Sequence, residues 1–222
     1  MPEETIYMND TGIFEDGYIW STSATWAGAR DATTAGLMSD TGNNSNLAVL
    51  DRKLSVGRGG SATYSVIRSF FQFDVSDITL RPESARIGIH GIGSENGTNV
   101  LGVKANALPY LSNTDFDAIV GWTTGDNVNN VIIYTDTITD GNWDTSDYNY
   151  FQLTNAALSD LQGGTTFDIA FLTQQDLRDL EPGNNVTNAV GMVYSETTGT
   201  TSDPKIVYTT GSRDSFFLGA NF

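Results

Sequence analysis

The chain contains no cysteine in its 222 residues. That excludes a disulfide framework, a thiolate zinc site and a cysteine nucleophile. It has a single histidine, too few for a multi-histidine metal centre. His90 falls in a strand pattern between Ile89 and Gly91 and reads as an ordinary strand position. No serine lies in a nucleophile-elbow context. Neither a GxGxxG run nor a Walker-type segment occurs. The glycine-rich "GRGGSA" at 57–62 leads into a strand and reads as a hairpin turn. Positive charge is also scarce: 11 Lys and Arg face 27 Asp and Glu, for a formal charge of −16. Such a field repels duplex DNA, RNA and anionic membranes. It suits a surface in salty water, where screening is strong, and it equally suits plain solubility. No apolar run approaches the ~20 residues of a membrane helix. The start, Met1-Pro2-Glu3-Glu4, has neither the positive region nor the apolar region of a secretory signal. The expectation is a protein made in the cytoplasm without such a signal, with no membrane insertion and no cofactor.

What is present is strand and turn. Short apolar runs are separated by clusters of Gly, Asn, Asp, Ser and Thr, the pattern of strands joined by turns. Strands are expected at 5–9, 18–21, 47–51, 66–75, 85–92, 100–106, 131–137, 148–153, 167–173, 190–195 and 205–210. The densest run is "RSFFQFDVSDI", Arg68 to Ile78. Its alternation places Ile67, Phe71, Phe73 and Val75 on a core face, and Arg68, Gln72 and Asp74 on the other face together with Phe70. Helical signal is thin. "TNAALSDLQGG" (154–164) has Thr154 or Asn155 as N-cap and a glycine stop, and "TQQDLRDLEPG" (173–183) allows a turn or two before Pro182. Eleven strands and one or two short helical turns indicate an all-β fold. Without a repeat, linker or low-complexity tract, a single domain over 1–210 is the simplest division.

The carboxylates mostly sit beside Gly, Asn, Ser or Thr, where turn roles are the default. Composition leaves paired acids for glycoside hydrolysis open, because the spacing such a pair needs is not written in sequence. "DTSDY" (144–148) has a spacing that suits a structural calcium ion, without the register of an EF-hand loop. Trp20 and Trp26 read as core or rim packing. Trp122, in "VGWTTGDN", and Trp143, in "DGNWDTSD", lie in loop-like surroundings. They are the candidate carbohydrate-binding platforms, with packing as the competing role.

"RSFFQFDVSDI" followed by "ARIGIHGI" resembles the signature of the DNRLRE (disaggregatase-related) domains. "DGYIWSTSATWAGAR" is similar to that family's opening, "FDIAFLT" to its late core strand and "VYSETTGTTSDPKIVYTT" to its closing strand pair. The resemblance runs from about Asp16 to Thr210. It departs at "QF", where Leu-Lys-Phe is usual, and at Thr209, where a tyrosine often stands. The resemblance implies a jelly-roll β-sandwich like those of carbohydrate-binding modules, found in secreted enzymes, cell-surface proteins and phage structural proteins. It brings no general catalytic set. Beyond it the chain continues as "GSRDSFFLGANF" (211–222). There Phe216, Phe217, Leu218 and Phe222 form an apolar tail, placed either on the chain's own sandwich or on a neighbouring subunit; we take the second as the expectation. The combined expectation is a bacteriophage virion surface protein of decoration, cement or fibre type. It is non-enzymatic and homo-oligomeric, docks non-covalently on other virion proteins and touches host glycans. The alternative is a carbohydrate-binding module for extracellular glycans.

Overall fold

The structure, a computed structural model, describes residues 2–8, 16–39, 45–55, 60–96, 98–108, 110–139, 141–195 and 201–211. The chain forms β1 (Glu4–Tyr7), β2 (Asp16–Ser23), α1 (Trp26–Arg30), β3 (Leu37–Ser39), β4 (Ser45–Leu54), β5 (Thr63–Asp74), β6 (Ser84–Glu95) and β7 (Val100–Lys104). There follow β8 (Ile133–Ile138), β9 (Tyr148–Gln152), α2 (Asn155–Leu161), β10 (Thr166–Thr173), α3 (Gln174–Leu177), β11 (Val186–Met192) and β12 (Lys205–Thr209). Each expected strand has a counterpart. β11 begins earlier than its apolar run, because Val186–Ala189 pair with Leu50–Lys53 of β4. Past it, the Ser195 amide donates to the Asp16 carboxylate. β3 and α1 carried no period of their own long enough to show. Both expected helical turns form, each capped by a threonine: Thr154 accepts from the Ala157 amide and Thr173 from the Asp176 amide, which satisfies donors the helix itself cannot.

Eight of the strands make a jelly roll. β1, β12, β6 and β9 pair antiparallel as one sheet. β5, β10, β7 and β8 pair antiparallel as the other. Counted along these eight, the orders are first-eighth-third-sixth and second-seventh-fourth-fifth, so the fold is an all-β jelly-roll sandwich. β2 and β4 pair with β5, and β11 pairs with β4, widening the second sheet. Distal β6 also pairs with β11 through a register shift, which joins the two sheets at one edge.

The main core lies between the sheets. Phe71, Phe73 and Val75 meet Ile87, Ile89, Phe151, Phe167, Phe171, Tyr194 and Ile206 there. Phe71 stacks on Tyr194 at 5.5 Å and meets Phe171 edge-on at 5.7 Å. Ile67 is buried as expected but joins a small satellite with Leu50 and Ala189. The other face of β5 departs from expectation. Arg68, Phe70 and Gln72 are buried, not solvated. A second apolar layer from α1, α3 and residues 105–131 covers that face, enclosing Val66, Phe70, Phe116, Ile119, Ala170 and Leu177.

Arg68 is accommodated inside this layer because its guanidinium is matched by acceptors. Its guanidinium donates to both Asp176 carboxylate oxygens, at 2.7 and 2.9 Å. It also donates to the carbonyls of Phe116 and Arg30, at 2.8 and 2.9 Å. Arg30, equally buried, donates to the Asp176 carbonyl and to the Asp31 carboxylate. The Arg-Ser of the central motif is therefore structural: Ser69 Oγ, on the opposite face, bonds the Ala48 carbonyl and the Tyr194 hydroxyl.

Candidate functional site

The outer face of the β1-β12-β6-β9 sheet follows from the strand period of two. In β9, Phe151 points into the core, so Tyr148 and Tyr150 point out. In β6, Ile87 and Ile89 point in, so Arg86, Gly88 and His90 point out. In β12, Ile206 and Tyr208 point in, so Lys205 and Val207 point out. Strand register then assembles the face. Tyr7 lies opposite Lys205, Lys205 opposite Gly88 and Gly88 opposite Tyr150, with His90 opposite Tyr148 in the neighbouring row. Gly88 leaves the space that the two tyrosines occupy. A Cβ there would lie 2.9 Å from Tyr150 Cε1 and 3.2 Å from Tyr148 Cδ1.

The result is a ladder of rings and cations. Tyr148 and Tyr150 stack at 5.8 Å. The Arg86 guanidinium lies 4.9 Å from the Tyr150 ring centre, and His90 meets Tyr148 edge-on at 5.5 Å. Lys205 Nζ sits 3.4 Å from the Tyr148 ring centre, 5.7 Å from Tyr150 and 5.9 Å from Tyr7. Tyr7 and Tyr150 are 40% and 39% exposed. The Tyr148 hydroxyl donates to the carbonyls of Asp203 and Thr201, and burial pushes its phenol well above the ordinary tyrosine range.

Beside the ladder opens a polar cleft of about 300 Å³. Thr137, Thr139, Asn142, Asp144 and Asn149 line it, with Tyr148 and Tyr150 as the shared wall. Its loop is pinned by Asn149, which accepts from the Asp144 amide and donates to the Asp144 carbonyl, both at 2.8 Å. The Asp144 carboxylate accepts from the Ser146 amide and hydroxyl, and these bonds hold its pKa below the usual range. Asp147 accepts from the Tyr148 amide. The acids of "DTSDY" thus serve as turn acceptors, and among the described residues no three Asp, Glu or His side chains gather to hold a metal ion.

The two tryptophans singled out from sequence do not share a groove. Trp143 is 9% exposed and packs on Phe151 in the main core. Trp122 is half-buried against the second layer, its ring 4.0 Å from the Arg68 guanidinium and 4.6 Å from that of Arg30. Trp26 is buried, its indole N–H donating to Asp179; Trp20 packs on the satellite cluster. The apolar tail residues Phe216, Phe217, Leu218 and Phe222 lie outside the described residues, as do 57–59 of the glycine-rich turn.

A second polar cleft, about 260 Å³, holds two acids, Asp160 and Asp168. Burial alone would raise the Asp160 carboxyl, but hydrogen bonds from Lys104 and Tyr134 hold it below the usual range. Asp168 accepts from Gln72, Thr166 and the Leu108 amide. A glycosidase general acid needs a raised pKa, and Asp160 is shifted the other way. The pair ties β7, β8, α2 and β10 together. No family model matches the chain, and no curated protein matches it.

Proposed function

We propose that this chain is a non-catalytic surface subunit of a bacteriophage particle, a jelly roll of decoration, cement or fibre type whose recognition face binds host glycan. The observation that carries the glycan part is the tyrosine ladder, with Tyr7 and Tyr150 exposed, next to a cleft lined by hydroxyls, amides and the Asp144 carboxylate. Saccharides are bound by that combination, with aromatic rings taking the C–H faces and fixed polar groups taking the hydroxyls. The phage setting is supported by the resemblance of "RSFFQFDVSDI" and its flanking segments, and by the apolar "SFFLGANF", which suits docking on a neighbouring subunit. A free-standing carbohydrate-binding module is the second reading, favoured by the same cleft. Two measurements decide. Glycan-array binding by the intact chain, lost in Tyr150→Ala with the melt unchanged, supports recognition by this face; an array signal that the variant keeps removes it. Mass spectrometry of purified virions in which the chain is stoichiometric supports the subunit reading, and its absence from particles leaves the free module.

A further inference from the structure

The outer face also says what kind of glycan it suits. The chain has three lysines. Lys53 pairs with Glu181 at 2.6 Å and Lys104 with Asp160 at 2.8 Å. Lys205 has neither an ion pair nor a hydrogen bond among the described residues; its neighbours are the rings of Tyr7, Tyr148 and Tyr150. Among the described residues Arg52, Arg81 and Arg178 make no ion pair either, so what sets Lys205 apart is its place among three rings of the outer face. The rings attract the ammonium electrostatically, but they accept none of its three N–H donors in the way a carboxylate does. Arg86, on the other side of Tyr150, is already engaged by Glu3 at 3.1 Å. Among the described residues Lys205 is therefore the cation of the ladder without an ion pair, and it packs on the ring of Tyr148, which also walls the polar cleft.

We infer that the face takes an acidic oligosaccharide. One sugar unit lies in the cleft among Thr137, Thr139, Asn142 and Asn149. The chain then crosses Tyr148 and Tyr150, and a carboxylate or sulfate on the next unit meets Lys205 Nζ. This rests on the glycan reading of the site and adds its charge class. The cleft, at about 300 Å³, suits a single polar ring rather than a protein segment. A carboxylate at Nζ forms a charge-assisted bond, the stronger kind. Asp144, in the cleft wall, is turned to its own loop by bonds from the Ser146 amide and hydroxyl, and the field of acids farther off is screened beyond ~8 Å at physiological ionic strength.

The test is calorimetric titration of the intact chain with three probes of equal length. These are a galacturonic acid oligomer, a sulfated galactose oligomer and the neutral galactose oligomer. Wild type is compared with Lys205→Met, which keeps the alkyl stem against the rings, with Tyr150→Ala, and with Lys53→Met as a remote control. The expected result is preference for an acidic probe, lost by roughly tenfold in Lys205→Met and unchanged in Lys53→Met, with thermal melts of the lysine variants matching wild type. The two acidic arms tell carboxylate from sulfate. Equal binding of the neutral oligomer, lost only in Tyr150→Ala, overturns the charge assignment and leaves the glycan reading standing. No binding of any probe, with Tyr150→Ala converting an oligomer to monomer by sedimentation, overturns both and gives the face to a second copy of the chain.

Discussion

Replacing Arg68 by methionine tests the account of the second layer. Methionine keeps the stem against Phe116 and Trp122 and removes only the guanidinium. Four hydrogen bonds go with it: two to Asp176 and one each to the carbonyls of Phe116 and Arg30. Asp176 is left buried, with Arg30 Nε at 3.5 Å as its remaining cation. Breaking one side of a buried pair costs about 3–5 kcal/mol, mostly because the partner charge is stranded. For a chain of this size each kcal/mol lowers the melting temperature by about 2–4 °C, so Arg68→Met should melt about 6–20 °C below wild type by scanning calorimetry. Arg86→Met removes an exposed pair with Glu3, worth about 0–1 kcal/mol, and serves as the comparison. If the cost is a stranded charge, the double variant Arg68→Met/Asp176→Leu should be less destabilised than the sum of the single changes. If Arg68→Met melts within about 3 °C of wild type, the guanidinium is dispensable, and the burial of this face has another cause.

Phe71→Ala should cost about 3–5 kcal/mol, since the ring is fully buried between Tyr194 and Phe171; a melt shifted by only a degree or two would refute the strand register. Burial raises the Asp51 carboxyl to about 6, so the folded chain holds that proton more tightly than the unfolded one. The stabilisation this brings is complete below about pH 4 and is lost as pH rises through about 6, a change of about 3 kcal/mol at most. Asp51→Asn should abolish it, and a wild-type-minus-variant stability difference that stays flat from pH 4 to 6.5 in urea titrations would contradict the assignment. Deleting residues 212–222 should leave a folded sandwich that no longer self-associates; an unchanged oligomer in analytical ultracentrifugation would place the subunit contact elsewhere.

The strands were legible because their signal is local. "FDIAFLT" and "KIVYT" alternate or run apolar between turn residues, and short-range pattern suffices to mark them. Their pairing was not local. That β6 contacts β9, β12 and β11 in turn depends on segments as far off as Thr209 is from Ser84, and only the family resemblance pointed to the jelly-roll order. The face of β5 bearing Arg68 was misread for a related reason. An arginine and a glutamine on alternate positions signal solvent, unless a distant segment brings an acid to meet them. Here that acid is Asp176, 108 residues on, and nothing around Arg68 announces it.

The paired rings of the outer face lie on a strand rather than in loops for a similar reason. Trp122 and Trp143 looked available because turn residues surround them, yet a large ring beside a turn is also what closes the end of a core. Trp122 covers two buried guanidinium groups, and Trp143 fills the space beside Gly91, where a Cβ would come within 2.8 Å of its indole nitrogen. On the sheet face the rings are instead those of Tyr148, half-buried, and Tyr150, exposed, and their signal was present. In "YNYFQ" the buried Phe151 forces both tyrosines outward, and in "RIGIHG" the buried isoleucines force Gly88 outward. Register places the two together, and aromatic rings covering an outward glycine compensate for the contacts it lacks. That packing alone explains why the tyrosines lie over β6. It does not explain Lys205, whose ammonium is brought among three rings and has no ion pair among the described residues.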